Sequence, residues 1–314
     1  MQRAERNESQ PTEAPLVSVI IPCYNQAHFL SEAVESVLNQ SYTHFEIIVV
    51  DDGSTDNTSE VAARYKEARC IRQENKGLPG ARNTGLRESR GRYLVFLDSD
   101  DRLLPEALST GLKYLEENPE CAFVSGHYRL INAEGVPQET NAQPHVKTEH
   151  YAALLENNYI TVPASVMYRR TVFDAVGEFD TSLKSSEDYD LYLRISRAHP
   201  VYCHGVMVAE YRAHGSNMSS NSERMLKMTL AVHGAQWPFV KGNKPLEQSY
   251  RRGRRYWKYR YGEGMVEKVR MQLRTPGQRR EALRGMRTIL RYYPRGFFKH
   301  AGRKLYCTIF RIKD

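Results

Sequence analysis

Residues 16–22, LVSVIIP, are a nearly unbroken run of aliphatic and β-branched side chains, the pattern of a strand buried on both faces. Polar CYNQAH follows, and FLSEAVESVLNQ (29–40) then sets Leu30, Ala33, Val34, Val37 and Leu38 at helical spacing. The same order recurs twice. FEIIVV leads through DDGSTDNT into a helix running through Val61, Ala62 and Tyr65, with Asp56 or Thr58 as its expected N-cap. YLVFL leads through DSDD into a helix expected over 103–118. Strand, loop and helix in three rounds predict right-handed crossovers and a doubly wound, mostly parallel α/β sheet. Ligands of such sheets bind beyond the carboxyl ends of the strands. PCYN, DDGS and DSDD are those ends, so all three should open onto one crevice.

After about residue 120 the pattern is mixed. CAFVSGHYRL, ITVPASVMYRR and VYCHGVMVAEYRAH read as further strands, and EDYDLYLRISRAH (187–199) as a helix with Leu191, Ile195 and Ala198 on one face. Beyond about 235 the chain reads as basic helices, without an internal repeat. Three segments result: a disordered polar tail (1–14), a large α/β body (15–235) and a basic helical C-terminal region (236–314).

Composition changes this picture in two ways. With 40% hydrophobic and 26% charged residues, the 314-residue chain has the makings of a soluble globular core, and no apolar run approaches the roughly 18–20 residues of a bilayer span. The first fifteen residues are polar and lack the apolar centre of a signal peptide. Five scattered cysteines (Cys23, Cys70, Cys121, Cys203, Cys307) without CxxC spacing argue for a reducing compartment and against a zinc site. A cytoplasmic protein is expected. The net charge of +8 is unevenly spread: residues 251–314 carry 20 basic and 4 acidic side chains, leaving a body with 25 and 33. An acidic body and a basic extension suggest separate roles.

Five polar stretches carry the candidate chemistry, and each has a plainer reading beside the functional one. Asp51 and Asp52 end a strand and suit either a capped turn or hydrogen bonds to a nucleoside, with Asn25 and the flat ring of Tyr24 on the neighbouring tip. NKGLPGARNTGL (75–86) lacks the endings of a P-loop or a dinucleotide fingerprint. It is either a flexible loop entering a helix or a backbone that approaches a ligand, with Arg82 forking onto an anionic group. Asp98 and Asp100 flank Ser99, either as a polar loop after the strand or as an arrangement suited to Mg²⁺ or Mn²⁺ bridging to phosphate. In SSEDYDLYLR, Ser185 and Asp188 have the spacing of a capping box, whereas a carboxylate beside an anionic ligand would be a competent general base. His214, in YRAHGSNMS, is a loop residue or, if folded back onto the cation, a ligand.

Taken together and in order, VSVIIPCYNQAHFLSEAVESVLNQSYTHFEIIVVDDGSTDNT, NKGLPGARNTGL, YLVFLDSDD, SSEDYDLYLR and YRAHGSNMS resemble the successive motifs of the family 2 glycosyltransferases over residues 16–220. The resemblance implies a GT-A fold, with a nucleotide-sugar half over about 15–120 and an acceptor half over about 121–235. It implies inverting transfer from a nucleotide-sugar, a UDP-sugar by preference, to a glycan or lipid-linked acceptor in envelope polysaccharide synthesis. Pro22, Tyr24 and Asn25 would border the donor base, Asp51 and Asp52 contact the nucleoside, and Gly77 and Arg82 lie along the nucleotide. Asp98 would reach the ribose with Ser99 beside it, Asp100 and His214 would hold Mn²⁺ or Mg²⁺, and Asp188, paired with Glu187, would be the catalytic base. Asp101 is left as the cap of the next helix. Acceptor contacts are expected between about 125 and 165.

The Gln-x-x-Arg-Trp motif of processive members is absent from the sequence, so single sugars or short units are expected to be added. RRGRRYWKYRYGEG and RGFFKHAGRKLYCTIFRIK interleave basic and aromatic residues, which suits an anionic membrane surface or a helical bundle packed on the body. A peripheral position on the inner membrane face would follow from the first. A sugar nucleotidyltransferase would need a Gly-rich basic loop after the first strand, where PCYNQAH stands. An aspartyl phosphatase would need Thr after Asp-x-Asp, where Asp101 and Arg102 stand. A nucleic-acid-binding role for the basic region is opposed by the acidic strand ends, so no nucleic-acid partner is expected.

Overall fold

The structure, a computed structural model, describes residues 16–215 and 217–300. The expected polar tail and Cys307 lie outside them. Three rounds of strand and helix open the chain: β1 (Val17–Cys23), α1 (Ala27–Leu38), β2 (Phe45–Asp51), α2 (Thr58–Ala62), β3 (Ala68–Arg72), α3 (Gly77–Glu88) and β4 (Tyr93–Phe96). The two-residue strand β5 (Arg102–Leu103) precedes α4 (Ala107–Glu117). Then come β6 (Phe123–Ile131), α5 (His150–Glu156), β7 (Val166–Arg169), α6 (Thr171–Val176), α7 (Glu187–Ala198) and β8 (Tyr202–Arg212). The remainder is helical: α8 (Ser222–Ala235), α9 (Trp237–Val240), α10 (Lys244–Arg274) and α11 (Arg279–Tyr292).

One eight-stranded sheet has the order β3-β2-β1-β4-β7-β6-β8-β5. The first four strands are parallel, as their β-branched runs and crossover helices require. β7 then enters antiparallel to both β4 and β6, so the sheet is mixed rather than uniformly parallel. α3 lies so close on β1 that a Cβ at Gly85 would come within 2.2 Å of Ile20 Cγ2, and only glycine permits that approach.

Two local expectations are revised. The helix expected from residue 103 starts at Ala107, because Arg102 and Leu103 pair with β8. Asn57, rather than Asp56 or Thr58, holds the N-cap position of α2. The Asp56 carboxylate instead accepts from the Thr58 and Ala27 amides, joining the starts of α2 and α1.

The basic C-terminal helices are part of the body's core. Trp257, Met265 and Val269 of α10 and Ile289 of α11 belong to the same buried cluster as Ile20, Phe96 and Tyr192. Gly253 of α10 sits where a Cβ would collide with the Leu155 carbonyl of α5. Among the described residues no helix is long and apolar enough to cross a membrane. Since Trp257 is buried at this junction, Trp257→Ala should destabilise the whole protein by about 3–5 kcal/mol. The check is one shared urea transition for the body and the C-terminal helices; a separate early transition of the helices would contradict it.

Candidate active site

The tips of β1, β2 and β4 meet, as the loops after them are stitched together. Asn25, held at φ 53°, donates its amide to Ser54 Oγ (3.0 Å) and accepts from the Thr55 amide at Oδ1 (2.7 Å). Gly53 has φ 77°, and a Cβ there would stand 3.0 Å from the Asn75 amide nitrogen, so this turn needs glycine. Tyr24 is 50% exposed on the rim, its ring open to a flat partner. Pro22, expected beside it, is a buried strand residue opposite Val50.

Asp51 and Asp52 have separate fates. Asp51 is fully buried and accepts from the Ser54 amide, Ser59 Oγ and Arg72 Nη1. Burial opposes its ionisation, but the hydrogen bonds from Ser59 and Ser54 and the Arg72 charge leave its carboxyl below the usual range. Its hydrogen bonds hold the turn. Asp52 Oδ1 accepts from Gln73 Nε2 (2.6 Å) and the Lys76 amide (2.8 Å), fixing the approach to α3. Gly77, at φ 76°, starts that helix with its amide on Asn75 Oδ1, so the segment around it is helical rather than a flexible loop.

The β4 tip gives each aspartate its own partner. Asp100 Oδ2 lies 2.8 Å from His214 Nε2 and accepts from Gln26 Nε2 at 3.3 Å, while Ser99 Oγ donates to Gln26 Oε1. Burial and the Asp98 charge push the Asp100 carboxyl up, against the hydrogen bond from His214. Asp101 is buried and accepts the Arg212 amide (2.9 Å); burial and its two neighbouring carboxylates raise it well above its ordinary value. It therefore ties β8 to the loop and does not cap α4. Arg212, fully buried, donates Nε to the Asp100 carbonyl, Nη1 to the Ala133 carbonyl and Nη2 to Glu32.

Asp98, 27% exposed, accepts from Arg82 Nη2 at 2.6 Å, and Arg82 Nη1 donates to Glu187 at 2.5 Å. Arg82 is buried, so the fork expected to reach an anionic ligand is spent on two carboxylates of the chain. Glu187 is also buried, with its carboxylate on that guanidinium. Its neighbour Asp188 is half-buried and accepts from the Tyr189 amide (2.7 Å). Burial and the Glu187 charge push the Asp188 carboxyl up to about 7, opposed by Arg82. The expected capping box does not form: Ser186, at φ 64°, holds the N-cap position without a side-chain cap, and Ser185 Oγ has no hydrogen-bond partner among the described residues.

Three participants were not foreseen. Gln26 follows Asn25 on the same tip and Arg212 precedes His214 by two residues, so proximity to the motifs was an available signal. Trp257 had none; its indole N–H donates to Tyr189 OH (3.3 Å), bracing the start of α7 from α10.

The donor set suits a hard divalent cation: a carboxylate oxygen and an imidazole nitrogen converge at Asp100 and His214, beside the partly open Asp98. Among the described residues no group of three or more His, Cys, Asp or Glu side chains is arranged to hold a metal. Asp100 and His214 would supply two ligands to such a cation, with substrate oxygens and water filling its other positions.

Residues 18–177 match the family described as Glycosyl transferase family 2, and the chain belongs to it. It is a glycosyltransferase of the GT-A fold. It is 33% identical over 225 residues to the UDP-Glc:alpha-D-GlcNAc-diphosphoundecaprenol beta-1,3-glucosyltransferase WfgD of Escherichia coli, covering 70% of this chain and 85% of that one. It is 32% identical over 226 residues to TuaG of Bacillus subtilis, described as a teichuronic acid biosynthesis glycosyltransferase, covering 70% and 87%. Other relatives are longer; the chain spans 30% of an uncharacterized glycosyltransferase of Rickettsia felis, at 36% identity over 57% of itself. The mannosyltransferase PcManGT of Pyrobaculum calidifontis, solved with GDP-Man and Mn²⁺, shares the fold with a TM-score of 0.61 at 19% identity, over 90% of this chain and 83% of that one.

Because Asp188 is raised in the folded state, it favours the protonated fold and withdraws stability as pH climbs from its unfolded value near 4 towards 7. Asp188→Asn should therefore stabilise the protein at pH 8, by about 1–2 kcal/mol after allowing for its partial exposure, with little gain at pH 5. Urea midpoints at the two pH values are the measurement; equal changes at both would refute the assignment of the raised carboxyl.

Proposed function

We propose that this chain moves one sugar from a nucleotide-sugar, a UDP-sugar by preference, to a hydroxyl of a glycan or lipid-linked acceptor, with inversion at the anomeric carbon. The observation that carries the reading is Asp188: a half-buried carboxyl raised to about 7 lies beside the array that leads through Glu187 and Arg82 to Asp98. A base of that strength is matched to neutral pH. The similarity to WfgD supports both a UDP-sugar and a diphosphate-linked acceptor, and the similarity to TuaG supports envelope polysaccharide synthesis.

In this reading Tyr24 stacks on the donor base, Asp52 and the Asn25 tip bound the nucleoside pocket, and the open side of Asp98 meets the ribose. Asp100 Oδ2 and His214 Nε2 would hold Mn²⁺ or Mg²⁺, which when bound supplies positive charge to the departing diphosphate. Asp188 takes the proton of the acceptor hydroxyl as that oxygen attacks the face opposite the leaving group. One displacement exchanges the C–O bond to the diphosphate for a C–O bond to the acceptor, without a covalent enzyme intermediate. Arg82 holds Asp98 and α7 in register, so donor and base are positioned by one guanidinium.

Incubation with UDP-, GDP- and dTDP-sugars in the presence of Mn²⁺, reading nucleoside diphosphate release, identifies the donor. If calorimetry found no donor bound, the reading would fail. With a GlcNAc-diphospho-lipid analogue as acceptor, Asp188→Asn should lower kcat by about 10²–10⁴ while donor affinity stays within a few-fold. The wild-type kcat/KM should rise with pH through about 7 as Asp188 loses its proton. Asp100→Ala, by contrast, should weaken donor binding in Mn²⁺ itself. Full transfer by Asp188→Asn would place the base elsewhere.

A further inference from the structure

α11 has two faces of different character. Ala282, Gly285, Thr288 and Ile289 are buried against the body. On the opposite side the helical repeat puts Arg280, Arg284, Arg287 and Arg291 in one stripe, with Leu283 and Leu290 in the stripe beside it. All six are exposed, Leu283 to 56% and Leu290 to 41%. Ion pairs elsewhere on the C-terminal helices follow helical spacing, as in Arg251–Glu247 and Arg270–Glu267. None of the four α11 arginines has an acidic partner among the described residues. Glu281, the helix's one acidic residue, projects to the other side of the stripe from the two leucines.

From this we infer that the outer face of α11 docks on an anionic bilayer, with the arginines among the headgroup phosphates and Leu283 and Leu290 at the acyl boundary. A face that were merely solvated would be expected to carry interleaved acidic residues and no leucines at two-turn spacing. The unneutralised stripe needs a polyanionic surface, and the leucines beside it need an apolar layer just behind that surface. A bilayer supplies both at that depth. The charge also disfavours the chain's own last residues as the cover, because 301–314 hold four basic side chains and one acidic. The inference does not depend on Asp188 or on the donor, so glycosyl transfer and docking stand or fall separately.

The test is co-sedimentation of the full chain with vesicles of phosphatidylcholine alone and with about one-third phosphatidylglycerol, at low and moderate salt. Binding is expected only to the anionic vesicles and should weaken as salt rises. Arg284→Glu with Arg287→Glu should cut the partition coefficient by at least about tenfold. Leu283→Ser with Leu290→Ser should lower it several-fold without altering its salt dependence, roughly as the loss of two buried aliphatic side chains. Both variants change exposed positions, and an unchanged urea unfolding midpoint serves as the folding control. Equal binding to neutral vesicles, or wild-type binding by the charge-reversal variant, would overturn the inference. So would tighter binding of a short DNA duplex that is lost in the arginine variant and kept in the leucine variant, which would make the face a nucleic-acid surface.

Discussion

Arg82 is the constraint around which the rest is arranged. A buried guanidinium must be neutralised, and here it is neutralised twice, by Asp98 at the β4 tip and by Glu187 at the start of α7. Arginine rather than lysine is needed because a planar fork can bind two carboxylates in fixed directions at once. Desolvating such a triad costs more than an apolar packing of the same volume would, so stability alone does not account for it. What it provides is position: elements 105 residues apart in sequence are held by one side chain. Glu187 also places a negative charge beside Asp188, and that charge is among the causes of its raised carboxyl.

The crowding of Asp98, Asp100 and Asp101 follows the same logic. Three carboxylates on one loop are tolerable because each is answered from a different direction: Asp98 by Arg82, Asp100 by His214, Asp101 by the amide of Arg212. Arg212 is the second buried guanidinium, and it reaches the backbone of the loop rather than its charges, apart from Glu32 on α1. Of the three side chains Asp98 is the most exposed, at 27%. A loop that reads as uniformly acidic therefore holds three carboxylates in three different settings.

What was legible in the sequence follows from the range over which each cause acts. The parallel half could be read because buried β-branched runs and 3.6-residue periodicity are local, and the carboxyl-end rule then put three tips on one rim. The two-residue β5 and the antiparallel entry of β7 were not readable, since pairing partners rather than composition decide them. Asp51 and Asp52 look equivalent in sequence and both are buried, yet Arg72 and Ser59 hold the first while Gln73 and the Lys76 amide hold the second. The fork of Arg82 was recognised as built for two anionic oxygens, but its partners lie too far along the chain to be named from spacing.

The basic C-terminal region makes the same point about charge. An excess of lysine and arginine over residues 251–314 suggested an appendage, and the structure distributes that region between two duties. Trp257, Met265 and Val269 repeat along one side of α10 and enter the core beside α7, where Trp257 bonds to Tyr189. The arginines occupy what is left, and on α11 that remainder is a continuous outer stripe. A helix can serve both because burial selects every third or fourth residue and leaves the others unconstrained. The positions freed from packing are the ones where charge can accumulate, so the face that does not hold the fold together is the face available to a partner.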